Sequence, residues 1–164
     1  MRAILQRLFV LLGVLAPAEV AALRDAPPGP VRLRGTLQCE TPLSSPIKGL
    51  PCAGYLYRAS AVGSGRSSTG VRMRTLRKAT VYADRVFLEL DDARVALELP
   101  PSDDFSADAH ASLTALDLGG FRAVETTLRE GQRVSVLGQV RRPDGAAPVR
   151  VRVKSIAIVD DSDR

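Results

Sequence analysis

Cys39 and Cys52 stand thirteen residues apart, a spacing at which they could form a disulfide or supply thiolates to a metal. Two cysteines in an exported protein usually pair, and a bridge here would close the proline-rich segment 41–52. The chain-entropy model gives such a short loop about 3 kcal/mol of stabilisation. The alternative is two separate buried thiols, and a metal site is disfavoured because zinc needs further ligands. The sequence favours a disulfide that supports a structural corner rather than a ligand loop.

The single histidine, His110, lies in a stretch rich in carboxylates and hydroxyls, the groups that a hydrolytic or calcium site would use. The neighbours that carry these groups are Asp103, Asp104, Ser106, Asp108 and Ser112. A catalytic base must be held by rigid neighbours, whereas residues 101–120 have the pattern of a polar loop and a short helix. The carboxylate spacing also differs from that of an EF-hand. We therefore expect no catalytic residue, metal or cofactor.

The glycine-rich segment 63–70, GSGRSSTG, has the composition of a phosphate-binding loop. It lacks the lysine that follows the last glycine of that motif, and no strand-to-helix pattern surrounds it. We predict the tip of a β-hairpin instead.

The chain carries a formal net charge of +5, and its basic residues are concentrated in segments 58–78 and 133–154. Proteins that bind single-stranded nucleic acid combine such basic strands with aromatic side chains that stack on the bases. Tyr55, Tyr57 and Tyr82 are the candidates for stacking. Because the chain also begins with an export signal, we expect no specific nucleic-acid partner.

Residues 1–22 have the layout of a secretory signal peptide. Arg2 and Arg7 supply the positive start, and the apolar run 8–16 follows them. Residues 20–22, Val-Ala-Ala, provide the small or apolar side chains that signal peptidase requires. The apolar run predicts an N-terminal hydrophobic helix that is shorter than the roughly 20 residues needed to span a bilayer.

The alternative is an uncleaved anchor formed by residues 3–23, with its charged side chains reaching the membrane interfaces. Both interpretations place the domain outside the cytoplasm, either exported to the periplasm or extracellular space or anchored to the membrane. Residues 23–30, which include three prolines, then predict a stiff polar linker.

Alternating polarity predicts β-strands through most of the remaining chain. In residues 31–39, apolar or small side chains alternate with polar ones, which is the period of a half-buried strand. Further strands are predicted at 53–63, 70–83, 85–92, 94–100, 131–142 and 148–161. This pattern predicts an all-β, mostly antiparallel fold, a small sandwich or a partly open OB-like barrel of six to seven strands. One short helix is inserted at 101–120, and Gly35 and Gly138 suit bulges or tight bends.

Residues 31–60 resemble the opening of the GIDE domain, also called the Beside-a-Membrane domain. The resemblance is carried by a mid-strand glycine, a proline-rich motif and a following tyrosine at position 55 or 57. The matching positions are Gly35, Leu43, Ser45, Pro46, Gly49, Pro51 and Cys52. Two later pieces are also similar, at 86–101 and at 123–140, where Gly131 and Gly138 match the closing motif. The GIDE-like domain would span residues 31–161, followed by a short tail at 162–164.

The best-known members of this family are membrane-anchored ubiquitin ligases of organelles, whose activity belongs to a separate RING domain. A RING domain holds two zinc ions with eight Cys and His ligands. This chain has two cysteines and one histidine, so it cannot form one. The resemblance therefore implies a stand-alone domain without ubiquitin ligase activity, and it implies no catalytic residue.

These observations favour a non-enzymatic, exported or membrane-tethered β domain that binds a protein partner or the membrane surface. The alternative is a β-barrel that binds a small ligand or an oligosaccharide. A large exposed apolar patch would favour the first function, and a deep pocket with convergent polar groups would favour the second. The sequence indicates neither a particular partner nor an oligomeric state.

Overall fold

The computed structural model describes residues 17–27, 29–67, 70–142 and 148–159. These residues are mostly in strands, with one α-helix. The strands are β1 (Glu19–Val20), β2 (Pro30–Cys39), β3 (Leu43–Ser44), β4 (Pro51–Cys52), β5 (Gly54–Ser67), β6 (Gly70–Tyr82), β7 (Val86–Glu89), β8 (Arg94–Glu98), β9 (Arg122–Leu128), β10 (Arg133–Arg141) and β11 (Arg150–Ile158), and the helix is α1 (Ala107–Thr114).

The chain divides into two compact units. The first, called the barrel unit here, comprises the described residues within 1–40, 85–100 and 130–164. The second, called the three-stranded unit, comprises residues 41–84 and 101–129.

The barrel unit is a closed five-stranded β-barrel with one extra strand. Its strand order is β2–β10–β11–β8–β7, and β7 pairs with β2 to close the ring. All of these pairs are antiparallel except β11–β8, and β1 adds to β2 in parallel. The predicted all-β, mostly antiparallel, OB-like fold is confirmed, and the barrel is closed rather than partly open.

Small and branched apolar side chains fill the inside of this barrel. Those that are almost fully buried include Val31, Leu33, Leu37, Leu88, Val95, Val134, Val136 and Val151. They come from the alternating positions that the sequence pattern predicts, because successive side chains of a strand point to opposite faces. A five-stranded barrel is narrow enough for side chains alone to fill it.

Two glycines permit the close strand contacts of the barrel. A Cβ atom at Gly35 would overlap the carbonyl oxygen of Glu89, at the point where β2 passes from β10 to β7. A Cβ atom at Gly138 would lie 2.6 Å from the carbonyl oxygen of Arg152. The register of β10 and β11 shifts between Leu137 and Gly138, so this glycine lies at a bulge of the kind that the sequence predicts.

The segment before β2 also belongs to the barrel unit. Strand β1 pairs with β2, and a short 3₁₀ turn follows at Leu23–Asp25. The backbone N–H groups of Leu23 and Arg24 donate to the two carboxylate oxygens of Asp92, at 2.6 and 3.0 Å. These bonds lower the pKa of Asp92. From the sequence this segment was expected to belong to the leader and the linker. The predicted N-terminal hydrophobic helix and the other residues of 1–16 lie outside the described residues.

In the three-stranded unit, β5 lies between β6 and β9 and is antiparallel to both. One face of this sheet is covered by α1 and the loop before it. The core there consists of Cys52, Tyr55, Tyr57, Ala59, Ala79 and Phe105. Strands β3 and β4 form a small hairpin that pairs Leu43 with Cys52. The predicted hairpin tip at 63–70 joins β5 and β6, and its residues 68 and 69 lie outside the described ones.

The remaining predicted elements are found with shifted bounds. The strands predicted at 85–92 and 94–100 are β7 and β8, which pair with each other, and those predicted at 131–142 and 148–161 are the paired strands β10 and β11. Residues 143–147 and the tail at 162–164 lie outside the described residues. Strand β9 was not predicted as a strand. Within the part of the chain that the structure describes, no helix is long and apolar enough to cross a membrane.

Candidate functional site

The loop at residues 45–50, in the middle of the predicted corner 41–52, folds around the carboxylate of Glu125. The hydroxyl of Ser45 donates to Oε1 at 3.0 Å. The backbone N–H of Ile47 donates to Oε2 at 2.8 Å, and that of Lys48 donates to Oε1 at 3.1 Å. Glu125 is thus a carboxylate of β9 that occupies the polar centre of the loop.

The sequence of the loop accounts for its shape. Gly49 has φ = +66°, a left-handed conformation that favours glycine. Its N–H donates to the carbonyl oxygen of Ser45 at 3.0 Å, which closes one turn. Ser45 is buried and exchanges further bonds with Leu50, whose N–H donates to Ser45 Oγ at 3.1 Å. The groups that would bind a ligand are satisfied by the protein itself, which supports the corner interpretation.

The tyrosines named as stacking candidates are used differently. Tyr55 and Tyr57 are almost fully buried, so neither can stack on a base from the surface. The hydroxyl of Tyr55 donates to the carbonyl oxygen of Phe105 at 2.7 Å. Burial raises the pKa of both Tyr55 and Tyr57. Tyr82, also with a raised pKa, is half-buried at the end of β6.

His110 pairs with Tyr57 rather than with the acidic residues near it in the sequence. The hydroxyl of Tyr57 and Nδ1 of His110 are 2.9 Å apart, and the two rings meet edge to face. The Tyr57 ring also packs on Phe105, with centroids 4.2 Å apart. This arrangement anchors helix α1 and the loop before it on the sheet.

The polar neighbours of His110 stabilise the local backbone. Asp103 Oδ2 accepts the N–H of Thr80 at 2.7 Å. Ser106 caps α1 by accepting the N–H of Ala109 at 3.3 Å, and Ser112 donates to the carbonyl oxygen of Asp108 at 2.8 Å. Among the described residues, no group of three or more acidic, histidine or cysteine side chains could hold a metal ion.

The predicted disulfide is corrected by the structure, in which both cysteines are buried thiols and no bond joins their sulfurs. Cys39 ends β2 opposite Val86 in the barrel unit, and burial raises the pKa of its thiol. Cys52 belongs to the core of the three-stranded unit opposite Leu43. Each thiol fills space in a separate core, so the alternative of two buried thiols is the one observed.

The other residues of the family motif divide between the two units. Gly35, Gly131 and Gly138 lie in the barrel unit, where Gly131 has φ = +75° and donates its N–H to the carbonyl oxygen of Leu37 at 2.8 Å. The members in the three-stranded unit are Leu43, Ser45, Pro46, Gly49, Pro51 and Cys52. Leu43, Pro51 and Cys52 lie in the β3–β4 hairpin, and Ser45 and Gly49 shape the loop that joins its two strands.

The face of the β6–β5–β9 sheet that points away from α1 is exposed, and it is called the outer face here. Cross-strand partners share a face, so the register identifies its members. They are Gly54, Leu56, Arg58, Ser60 and Val62 of β5, Met73, Thr75, Lys78, Thr80 and Tyr82 of β6, and Arg122, Val124, Thr126 and Leu128 of β9. The aliphatic side chains Leu56, Val62, Met73 and Val124 are between 45% and 52% exposed.

The charge of the outer face has one sign. Lys78, Arg58 and Val124 form one cross-strand row, and Arg122 lies beside Ser60 in the next. No carboxylate is among the members named above, and Arg58 is hydrogen-bonded to Thr75 at 3.4 Å. No local sequence pattern predicts this face, because its cations and aliphatic groups come from three separated segments.

Comparison with protein-family models, with curated proteins and with solved structures gives no match for this chain. The resemblance to the GIDE domain therefore stays a prediction, and the functional proposal must come from the geometry of the chain's own residues.

Proposed function

We propose that this chain is a non-enzymatic, exported or membrane-tethered β domain whose outer face binds the surface of an anionic membrane. The observation that carries the proposal is the combination of three cations, four half-exposed aliphatic side chains and no carboxylate among the described members of one sheet face. Surfaces that lie on membranes combine basic and apolar groups in this way.

Charge supports an anionic target. Arg58, Lys78 and Arg122 extend from neighbouring positions on three strands, so their fields add. Each Lys or Arg near an anionic lipid surface contributes about 1 kcal/mol. The three together would contribute about 3 kcal/mol, before any contribution from the apolar side chains.

The apolar groups favour a lipid surface over a protein. Protein interfaces are enriched in aromatic side chains at a packed centre. The aromatic member of the outer face, Tyr82, is half-buried beside Gly54 at the end of β6. The more exposed apolar groups are the flexible or branched aliphatic chains of Leu56, Met73 and Val124. Such chains suit the boundary between headgroups and acyl chains.

The alternative function, a barrel that encloses a small ligand or an oligosaccharide, has less support. Ligand cavities are concave and carry a few convergent polar groups. The inward positions of the barrel unit are instead occupied by buried apolar side chains such as Leu33, Val95 and Val136. The non-enzymatic character is supported by the backbone bonds in which Asp103, Ser106 and Ser112 are engaged.

The test is co-sedimentation of the purified protein with vesicles of phosphatidylcholine alone and of phosphatidylcholine mixed with phosphatidylglycerol. We expect binding to the mixed vesicles only, and we expect it to weaken as salt shortens the Debye length. The double variant Arg58→Ser/Lys78→Ser should lose about 2 kcal/mol of binding free energy, which is roughly a 30-fold fall in the partition coefficient.

A matched control removes two exposed cations elsewhere, in the variant Arg152→Ser/Lys154→Ser on β11. It changes the net charge by the same amount and should retain most of the binding. Equal losses in both double variants, or no binding to the mixed vesicles, would contradict the proposal. Binding that is equally strong on phosphatidylcholine alone would contradict its electrostatic part.

A further inference from the structure

We propose that the leader of this chain is removed by hydrolysis of the peptide bond between Ala18 and Glu19, so that the exported protein begins with strand β1. Water is added across this bond by signal peptidase, which leaves a carboxylate on Ala18 and an ammonium group on Glu19. Cleavage after Ala22, the position that residues 20–22 suggest, would instead remove part of the folded barrel unit.

The backbone of residues 19–21 is part of the sheet. Glu19 and Val20 pair in parallel with Arg32 and Leu33 of β2. The carbonyl oxygen of Ala21 accepts the N–H of Asp91 at 3.0 Å. Cleavage after Ala22 would remove this edge strand and leave its partners on β2 exposed.

The side chain of Glu19 satisfies a buried polar group. Its Oε2 accepts a hydrogen bond from the hydroxyl of Ser135 at 3.3 Å, and Ser135 is only 6% exposed. Its Oε1 also forms an ion pair with Arg34 at 3.6 Å. A chain without Glu19 would leave the Ser135 hydroxyl without this acceptor, and an unsatisfied buried hydroxyl is destabilising.

Ala22 is part of the barrel packing as well. Its side chain is 4% exposed, and its carbonyl oxygen accepts the N–H of Asp25 at 3.2 Å. Cleavage after Ala22 would also place a new ammonium group on Leu23, at the N–H that now donates to Asp92. Cleavage after Ala18 would remove the backbone bond from the N–H of Arg32 to the carbonyl oxygen of Ala18 at 3.0 Å.

The residue types before Glu19 suit the enzyme. Ala16, Pro17 and Ala18 place small residues at the third and first positions before the bond, the A-x-A pattern of signal peptidase sites. The apolar run 8–16 ends directly at this motif. Processing takes place as the extended chain leaves the membrane, before the barrel unit folds, so the pairing of β1 does not protect the bond.

The test expresses the full chain with its own leader in a bacterial host and determines the N-terminus of the exported protein by sequencing and intact mass. We expect Glu19-Val20-Ala21-Ala22 as the first residues. A protein that begins at Leu23, or a membrane-bound protein that retains Met1, would overturn the proposal. Neither outcome depends on whether the outer face binds lipid.

Two variants make the test independent of folding, because precursor and product can be separated on denaturing gels. Ala18→Arg places a large charged residue directly before the proposed bond, and we expect loss of processing with accumulation of the precursor. Ala21→Arg adds the same charge at an exposed position after the bond, and we expect normal processing at Ala18. Normal processing of Ala18→Arg would overturn the proposal.

Discussion

Replacing Glu125 by Ala tests whether one carboxylate holds the loop at residues 45–50. The change removes the acceptor of three hydrogen bonds, from the Ser45 hydroxyl and the N–H groups of Ile47 and Lys48. Hydrogen bonds to charged groups contribute roughly 1.5–3 kcal/mol each. The two backbone donors are exposed and can bond to water in the variant, so the full sum does not apply. We expect a loss of about 2 kcal/mol, most of it from the partly buried Ser45 bond.

Urea denaturation at neutral pH measures the total effect, and hydrogen exchange of the Ile47 and Lys48 amides measures the local one. The free energy of unfolding of Glu125→Gln should lie between those of the native chain and Glu125→Ala, because the amide keeps one acceptor oxygen. Glu130→Gln is the control, since Glu130 is exposed and the change in charge is the same. If Glu125→Ala were as stable as this control, with unchanged exchange at Ile47 and Lys48, the loop would be held by its proline and glycine alone.

Three further predictions concern separate parts of the fold. Burial raises the pKa of Tyr57 above 10.0, so the protein should lose stability as pH rises through the raised value. In a pH series of thermal unfolding, Tyr57→Phe should weaken this alkaline dependence. Backbone hydrogen bonds lower the pKa of Asp92 below 3.8, so its contribution to stability should be present above pH 3.8 and lost as pH falls through the lowered value. An acid titration of the stability of Asp92→Asn should lack this loss. Gly35→Ala should lower the free energy of unfolding by about 1–3 kcal/mol, because its Cβ would overlap the Glu89 carbonyl oxygen. An unchanged midpoint in urea denaturation would contradict the close approach of β2 and β7.

The barrel could be predicted from the sequence because apolar and polar side chains alternate regularly along its strands. Val31, Leu33 and Leu37 point inward and their arginine neighbours point outward, so the period of two is visible without any knowledge of the partners. Gly35 and Gly138 were similarly informative, since each lies where a side chain would collide with a neighbouring backbone.

Strand β9 was missed because its polarity is the reverse of the usual one. Val124 points to solvent and is 52% exposed, whereas Glu125 points to the loop at residues 45–50 and is half-buried. A pattern that assigns apolar residues to the core therefore misassigns both faces. The carboxylate of Glu125 is stabilised by donors nearly 80 residues away in the chain, which no local pattern contains.

The disulfide was predicted from the number and spacing of the cysteines, which do not specify the core that each one enters. The division into two compact units separates the environments of Cys39 and Cys52, although only 12 residues lie between them in the chain. The outer face is a similar case, because its rows bring together residues from β5, β6 and β9 that share no local motif.

An environment-sensitive fluorophore on the outer face tests the proposed membrane contact most directly. Val124→Cys offers an exposed thiol for labelling, whereas both native cysteines are buried, and Ala157→Cys on β11 offers an exposed control position. On vesicles that contain phosphatidylglycerol, we expect a blue shift of the label at position 124 and none at position 157. An unchanged spectrum at position 124, or the same shift at both positions, would contradict binding through the outer face.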